Sequence, residues 1–311
     1  TLSLNLTAGA LSAQGQGTIS LSDRRANIAF DAQAPAMQMN QELGWASLNI
    51  KGRFTGGFDA PQVQAQLRIA AFAGAGYSAA ALLADITGAA GQVDATARLE
   101  GLRIPGSAPG LFAAAPLVAV LSADLSAPQR PLRFSLRHPL LNLEGTANTS
   151  GVRNVQAALT VPSLTPFGVL AGGDIAGSAS GTLKATFNGG TATVTLQGDI
   201  RAQGAAMPAR MLGHAVVNAR AVLSNGDILS SRLMLDGAGL ASTVSGERRG
   251  GRLNYNASLT FKDLSRLTRA LSGQASVSGH VGGPVATALV TASGSAEIAG
   301  MGFARERVNI S

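Results

Sequence analysis

Apolar and polar residues alternate along this chain with a period of two, a pattern that fits strands with one apolar and one wet face and fits helices poorly. The alternation opens the chain at Leu2-Ser3-Leu4-Asn5-Leu6. It returns over Val63–Ile69, Val93–Leu99, Leu183–Phe187 and Leu253–Phe261. Between such runs stand Gly56-Gly57, Gly88 to Gly91, Asn188-Gly189-Gly190, Asn225-Gly226-Asp227, Gly250-Gly251 and Gly282-Gly283-Pro284. Asn-Gly and Gly-Gly pairs supply the positive φ angles of tight hairpins, so the runs read as antiparallel neighbours in a long meander.

The apolar material suits thin layers. Hydrophobic residues make up 46% of the 311, yet aromatics are only 4%, and glycine reaches 39. Small residues let backbones approach closely, and glycine punctuates turns. The expected fold is therefore all-β: an elongated, repetitive antiparallel sheet stack forming an open, solenoid-like groove, more than half strand and under about 15% helix. Three segments break the alternation and are expected to hold short helices: Gly110–Leu121, Ala206–Gly213 and Asp263–Leu271. Pro208 is placed to begin one of them, and Leu264, Leu267 and Leu271 share a helical face. The chain is expected to form one continuous repetitive segment over 1–311, with weak repeat boundaries near 106–116, 162–177 and 262–273. Because Thr1 opens directly in a strand pattern, the segment reads as part of a longer protein.

Residues that carry chemistry are sparse. Cysteine is absent, which excludes disulfides, thiolate catalysis and cysteine-bound zinc, and suits an oxidising compartment. His138, His214 and His280 stand alone, without metal-ligand spacing. Asp174, Asp199, Asp227, Asp236 and Asp263 are expected mostly at turns and helix starts, as caps. Gly177-Ser178-Ala179-Ser180-Gly181 superficially resembles a nucleophile elbow, but neither serine is central and no strand-to-helix switch is expected there. The reading is of a protein without an active site, cofactor or bound metal. The net charge of +7 rests almost wholly on arginine, densest at Arg24/Arg25 and Arg248/Arg249/Arg252. No aromatics interleave with these residues, which argues against a nucleic-acid partner. No stretch reads as a signal peptide or an apolar helical span of membrane length.

A longer repeat runs beneath the alternation. Leu48–Pro61 and Ala275–Pro284 both read strand, Gly, strand, Gly-Gly, Pro, and Ala179–Gly190 is a third relative. With Met211–Leu223, Leu233–Leu240, Phe261–Leu267 and Gly279–Pro284, this is where the chain resembles the TamB family, the inner-membrane-anchored subunit of the bacterial translocation and assembly module, within the AsmA-like superfamily. The resemblance implies a periplasmic β-groove with an apolar lining, in a protein anchored to the inner membrane by a segment outside this chain. It also implies a part in outer-membrane protein assembly and in phospholipid transport between membranes. The partners it implies are phospholipid acyl chains or unfolded outer-membrane β-strands, and a TamA-like outer-membrane barrel.

The apolar stripes are the candidate functional residues. They comprise Leu2, Leu4, Leu6, Leu67, Ile69, Leu183, Phe187, Val194, Leu196, Leu233, Leu235, Leu259 and Phe261. Either they are core, or they line a groove that withdraws acyl chains from water. A rival of another class is a β-solenoid adhesin or autotransporter passenger, which should show rungs of steady length with stacked Asn or Thr ladders. An enzyme, which should gather titratable groups in one cleft, ranks behind both.

Overall fold

In a computed structural model of the chain, 71% of residues lie in strands and 5% in helical turns. The structure describes all residues except 39–42, 75, 106, 109, 170–171, 301–302 and 311, and describes 303–310 in backbone alone. The expected all-β antiparallel fold is the one that forms. The chain divides into two compact units, Thr1–Gly151 and Val152–Ser311.

Unit 1 holds β1 (Leu2–Ala8), β2 (Leu11–Ser20), β3 (Arg25–Ala34), β4 (Met37–Gln38), β5 (Leu43–Trp45) and β6 (Ser47–Gly57). It continues with β7 (Pro61–Gly74), β8 (Tyr77–Ala89), β9 (Gln92–Glu100), β10 (Leu117–Asp124), β11 (Pro131–His138) and β12 (Leu141–Asn148). Each long strand pairs antiparallel with the next long strand in sequence. The small β4–β5 hairpin is set aside, so that β3 pairs with β6 and β5 reaches the end of β7. Among the described residues no pairing joins β1 to β12, and the sheet is not closed.

Unit 2 repeats the plan with β13 (Arg153–Val161), β14 (Ala176–Asn188), β15 (Thr191–Gln203), β16 (His214–Ser224) and β17 (Asp227–Asp236). Then come β18 (Leu240–Arg249), β19 (Arg252–Phe261), β20 (Leu271–Pro284), β21 (Leu289–Gly300) and β22 (Phe303–Ile310). All neighbours are antiparallel and consecutive.

The two edges of each sheet differ. One carries mostly short reversals, several of them two-residue turns with both φ angles positive: Ala90-Gly91 (48° and 83°), Gly189-Gly190 (55° and 82°), Asn225-Gly226 (49° and 82°) and Gly250-Gly251 (54° and 73°). These are type I′ turns, whose twist matches that of the flanking strands. The other edge carries irregular segments that fold over the strand ends and bury much of what core there is. In unit 2 the helix α1 (Met207–Leu212), with Pro208 in its first turn, seats Ala209 against Ile175 and Ala202, with Leu164, Ile200 and Leu212 packed around them. Two arginines clasp it. Arg210 donates to the Leu267 carbonyl at 2.9 Å, and Arg266 donates back to the Arg210 carbonyl at 3.0 Å. In unit 1, buried Phe112 lies against buried His138, ring centroids 5.3 Å apart, and the His138 Nδ1 accepts the Leu140 N–H at 3.1 Å.

Several expectations need correction. Of the three expected helices, only Ala206–Gly213 forms an α-helix. Over Gly110–Leu121 the described residues up to Ala115 turn irregularly, and Leu117 already opens β10. Val118 and Val120 are apolar on the face where alternation calls for polar residues, which hid the strand. Asp263–Leu271 yields one 3-10 turn at Leu264–Arg266, capped by Asp263, which accepts the Ser265 N–H at 3.0 Å. Leu264 is buried there, but Leu271 belongs to β20. Gly56-Gly57 and Gly282-Gly283-Pro284 are strand ends rather than turns, and the chain reverses just after each. The expected boundaries at 162–177 and 262–273 fall on irregular segments inside unit 2, and the boundary at 106–116 falls inside unit 1, with 106 and 109 outside the described residues. The division into units comes at Gly151.

Ala90 adopts φ 48° in a turn whose first position favours Asn or Gly. Ala90→Asn should therefore stabilise unit 1 by about 0.5–1 kcal/mol. The check is a higher urea midpoint at unchanged m-value.

Candidate functional site

Cross-strand register decides which side chains share a face, because directly paired residues point the same way. In unit 1 one row runs Leu4, Gly15, Phe30, Gly52, Ala65, Ile86, Ala95, Leu121, Phe134, Gly145 across all the long strands. The next runs Leu6, Ala13, Ala32, Ile50, Leu67, Ala84, Ala97, Ala119, Leu136, Leu143. Leu2 joins the same face opposite Gly17, and Ile69 joins it between Leu48 and Leu82. No polar side chain interrupts either row.

Unit 2 is built alike. One row reads Ala157, Leu183, Leu196, Ala219, Leu233, Val244, Ala257, Gly279, Ala292, and its neighbour reads Leu159, Gly181, Gly198, Val217, Leu235, Ser242, Leu259, Val277, Gly294, with Ser242 its one polar side chain. Val194 sits between Ala185 and Ala221, Phe187 opposite Ala192, and Phe261 between Leu240 and Ala275 on the same face. The structure thus gathers every singled-out apolar residue onto one face of its unit. It adds residues the sequence reading missed, among them Phe30, Phe54, Leu121 and Phe134. The signal that could have found them is the register itself, once the hairpin turns are placed.

This face is not a closed core. None of the candidate residues is buried; Leu4 is 50% exposed, Leu6 56% and Leu233 42%. Among the described residues no large side chain is fully enclosed. Large residues face small ones across the strands, as at Leu4/Gly15 and Phe30/Gly52. At Gly52 an added Cβ would overlap the Phe30 ring, so glycine there lets the ring lie flat along the sheet. Glycine and alanine therefore set the relief of the surface as well as its turns.

The opposite face is polar. Its central row in unit 1 reads Asn5, Gln14, Asp31, Lys51, Gln66, Asp85, Thr96, with Lys51 and Asp31 ion-paired at 3.2 Å and Gln66 donating to Asp85 at 2.9 Å. A hollow of about 640 Å³ opens here, lined chiefly by Gln14, Asp31, Lys51, Arg53, Gln64 and Asp85. In unit 2 hollows again lie over polar rows, around Ser245, Asn256, Ser278 and His280, and around Ser276 and Ser295. The apolar rows are a broad half-covered surface; these hollows belong to the other side.

The isolated histidines stay isolated. His138 is buried beneath Phe112, His214 hydrogen-bonds Asp199, and His280 meets Asn256 at 3.1 Å. Among the described residues no group of three or more acidic, histidine or cysteine side chains is placed to hold a metal ion, and no helix is long and apolar enough to cross a membrane. Gly177–Gly181 lies wholly within β14, with no switch into a helix. Asp199 and Asp236 do not cap turns. They end in ion pairs, Asp199 with Arg201 and His214, Asp236 with Lys262.

No family model, no curated protein and no solved structure matches this chain.

Four aspartates are held below the ordinary value of 3.8: Asp31 by a hydrogen bond from Gln33 and by Lys51, Asp124 by Ser126 and Gln92, Asp199 by His214 and Arg201, and Asp263 by Ser265. A carboxylate whose folded pKa is depressed stabilises the fold above its unfolded pKa, and that stability is lost as pH falls through the folded value. Stability should therefore decline below about pH 4. Denaturant titrations of the unaltered chain and of Asp124→Asn and Asp263→Asn check this: each variant should show a shallower acid decline.

Proposed function

We propose that this chain is a non-enzymatic β-groove segment of a periplasmic, TamB-like bridge, and that its apolar face carries phospholipid acyl chains between inner and outer membrane in support of outer-membrane biogenesis. One observation carries the reading: in each unit the open sheet presents a largely apolar face, crossed in unit 2 by Ser231 and Ser242, that is partly exposed and covered at one edge. Contiguous exposed apolar surface of this kind marks a site of interaction.

The choice of acyl chains over unfolded outer-membrane strands follows from hydrogen bonding. A peptide laid across these rows would leave its N–H and C=O groups without partners, whereas an acyl chain has none to satisfy. The magnitudes suit transit. A methylene is worth about 0.8 kcal/mol when fully withdrawn from water, so a half-covered chain of about 16 carbons gains roughly 6 kcal/mol. Association costs of about 4 kcal/mol or more consume most of that. Binding is then weak and unselective, because apolar contacts are non-directional, and cargo can leave as readily as it enters.

A structural, adhesin-like role is the second reading, favoured by the hydroxyl ladder on the polar face, where Ser276 meets Ser295 at 3.0 Å and Ser278 meets Ser293 at 3.2 Å. Lipid mass spectrometry of the purified chain separates the two, since only the first expects co-purifying phospholipid. Leu4→Asp and Leu233→Asp should lower bound lipid several-fold while the strand signal in circular dichroism persists, because a charge at a half-exposed site stays partly hydrated. Ser258→Asp, on the polar face, should leave lipid binding unchanged. Unfolding of both leucine variants, together with lipid-free unaltered protein, would show that the stripes are ordinary core.

A further inference from the structure

Cations and carboxylates are interleaved over most of the polar surface, but not in the middle of unit 2. There one cross-strand row reads Gln156, Lys184, Thr195, Arg220, Arg232, Ser245, Asn256, His280, Thr291. It holds no carboxylate. The neighbouring row toward the capped edge reads Ala158, Thr182, Gln197, Asn218, Met234, Thr243, Ser258, Ser278, Ser293 and holds none either.

Arg220 and Arg232 are directly paired on adjacent strands, both exposed, with Lys184 on the same row and only Thr195 between it and Arg220. Like charges placed directly opposite on a sheet destabilise it. The nearest acids are already engaged: Glu247 with Arg249 at 2.9 Å, Asp199 with Arg201 at 3.3 Å and with His214, and Asp236 with Lys262. Lys184, Arg220 and Arg232 take part in none of the ion pairs among the described residues.

We propose that Arg220, Arg232 and Lys184 form a phosphate-binding site on the polar face of unit 2. Adjacent strands stand about 4.8 Å apart, so the two guanidinium groups can close on one tetrahedral anion while the lysine reaches it from two strands away. Guanidinium forks match phosphate oxygens in pairs, and ammonium adds a point charge. Neither row holds Phe, Tyr or Trp, and the one imidazole, His280, stands three strands from Arg232 and is hydrogen-bonded to Asn256, which leaves nothing beside the arginines for a base to stack on and favours a bare phosphate or phosphodiester over a nucleic acid. Thr195 adds a hydroxyl between Lys184 and Arg220. The site lies on the face opposite the apolar rows and does not depend on what those rows carry. The phosphate could be free or could be that of a lipid headgroup.

The test follows the thermal midpoint of the 311-residue chain in inorganic phosphate, against chloride of equal ionic strength, and its binding to vesicles of phosphatidylcholine with and without about 30% phosphatidylglycerol. The unaltered chain should gain a phosphate-specific rise in midpoint, or bind the anionic vesicles, or both. A rise with inorganic phosphate alone identifies the free anion, and binding to anionic vesicles alone identifies the headgroup. In Arg220→Gln/Arg232→Gln the midpoint without phosphate should be higher, because the repulsion is gone, and the phosphate or vesicle affinity should fall about tenfold, or about 1.4 kcal/mol. Arg68→Gln, which removes an exposed arginine from the polar face of unit 1, should change neither. The proposal is overturned if the unaltered chain responds to neither probe, or if Arg68→Gln weakens the response as much as the double variant does.

Discussion

Antiparallel backbone pairing between consecutive strands is the interaction on which everything else in this protein depends. Because within each unit each long strand bonds to the next one along the chain, cross-strand register is set locally, turn by turn. A slip of one residue at any hairpin would turn a whole strand's leucines to the polar side. The type I′ turns at Gly189-Gly190, Asn225-Gly226 and Gly250-Gly251 hold that register where no closed core exists to enforce it. The irregular edge does the complementary work. By folding α1 and the Leu264–Arg266 turn over the strand ends, it supplies the small buried clusters that anchor unit 2.

This division of labour explains the composition. A sheet stabilised through its ladder and one capped edge needs few bulky residues, and bulky residues along the open face would invite self-association. Large side chains are therefore spaced by glycine and alanine across the strands, as in Leu4, Gly15, Phe30, Gly52, Ala65. The surface that results in each unit is largely apolar, yet corrugated and shallow, and it favours weak contact with a flexible chain over tight capture of a rigid ligand.

The polar face has its own logic. In unit 1 the central row mixes charges of both signs, Asp31 beside Lys51 being the clearest pair, and continues through Asp85 to Glu144. In unit 2 the corresponding surface separates into a carboxylate-free zone around Arg220 and Arg232 and a hydroxyl-rich zone over β20 and β21. The two units share a plan for the apolar side and differ on the wet one.

From the sequence alone, the period-two pattern and the Gly-rich turns determined the fold class, the antiparallel order and part of the membership of the apolar stripes. These are local properties: alternation assigns a face within a strand, and a two-residue turn assigns its neighbour. Tertiary structure decided what local pattern cannot carry. Leu117–Asp124 is a strand because β9 and β11 flank it, although Val118 and Val120 break the alternation. Leu271 extends a strand instead of completing a helical face because β21 is there to pair with it, Gly300 standing opposite. Arg220 and Arg232, twelve residues apart on either side of a turn, become neighbours only through register, and no run of basic residues in the sequence announces them. Whether the stripes were core or surface was likewise undecidable from the pattern, because burial depends on whether a second layer arrives. Among the described residues none does beyond the capped edge, and the face stays open.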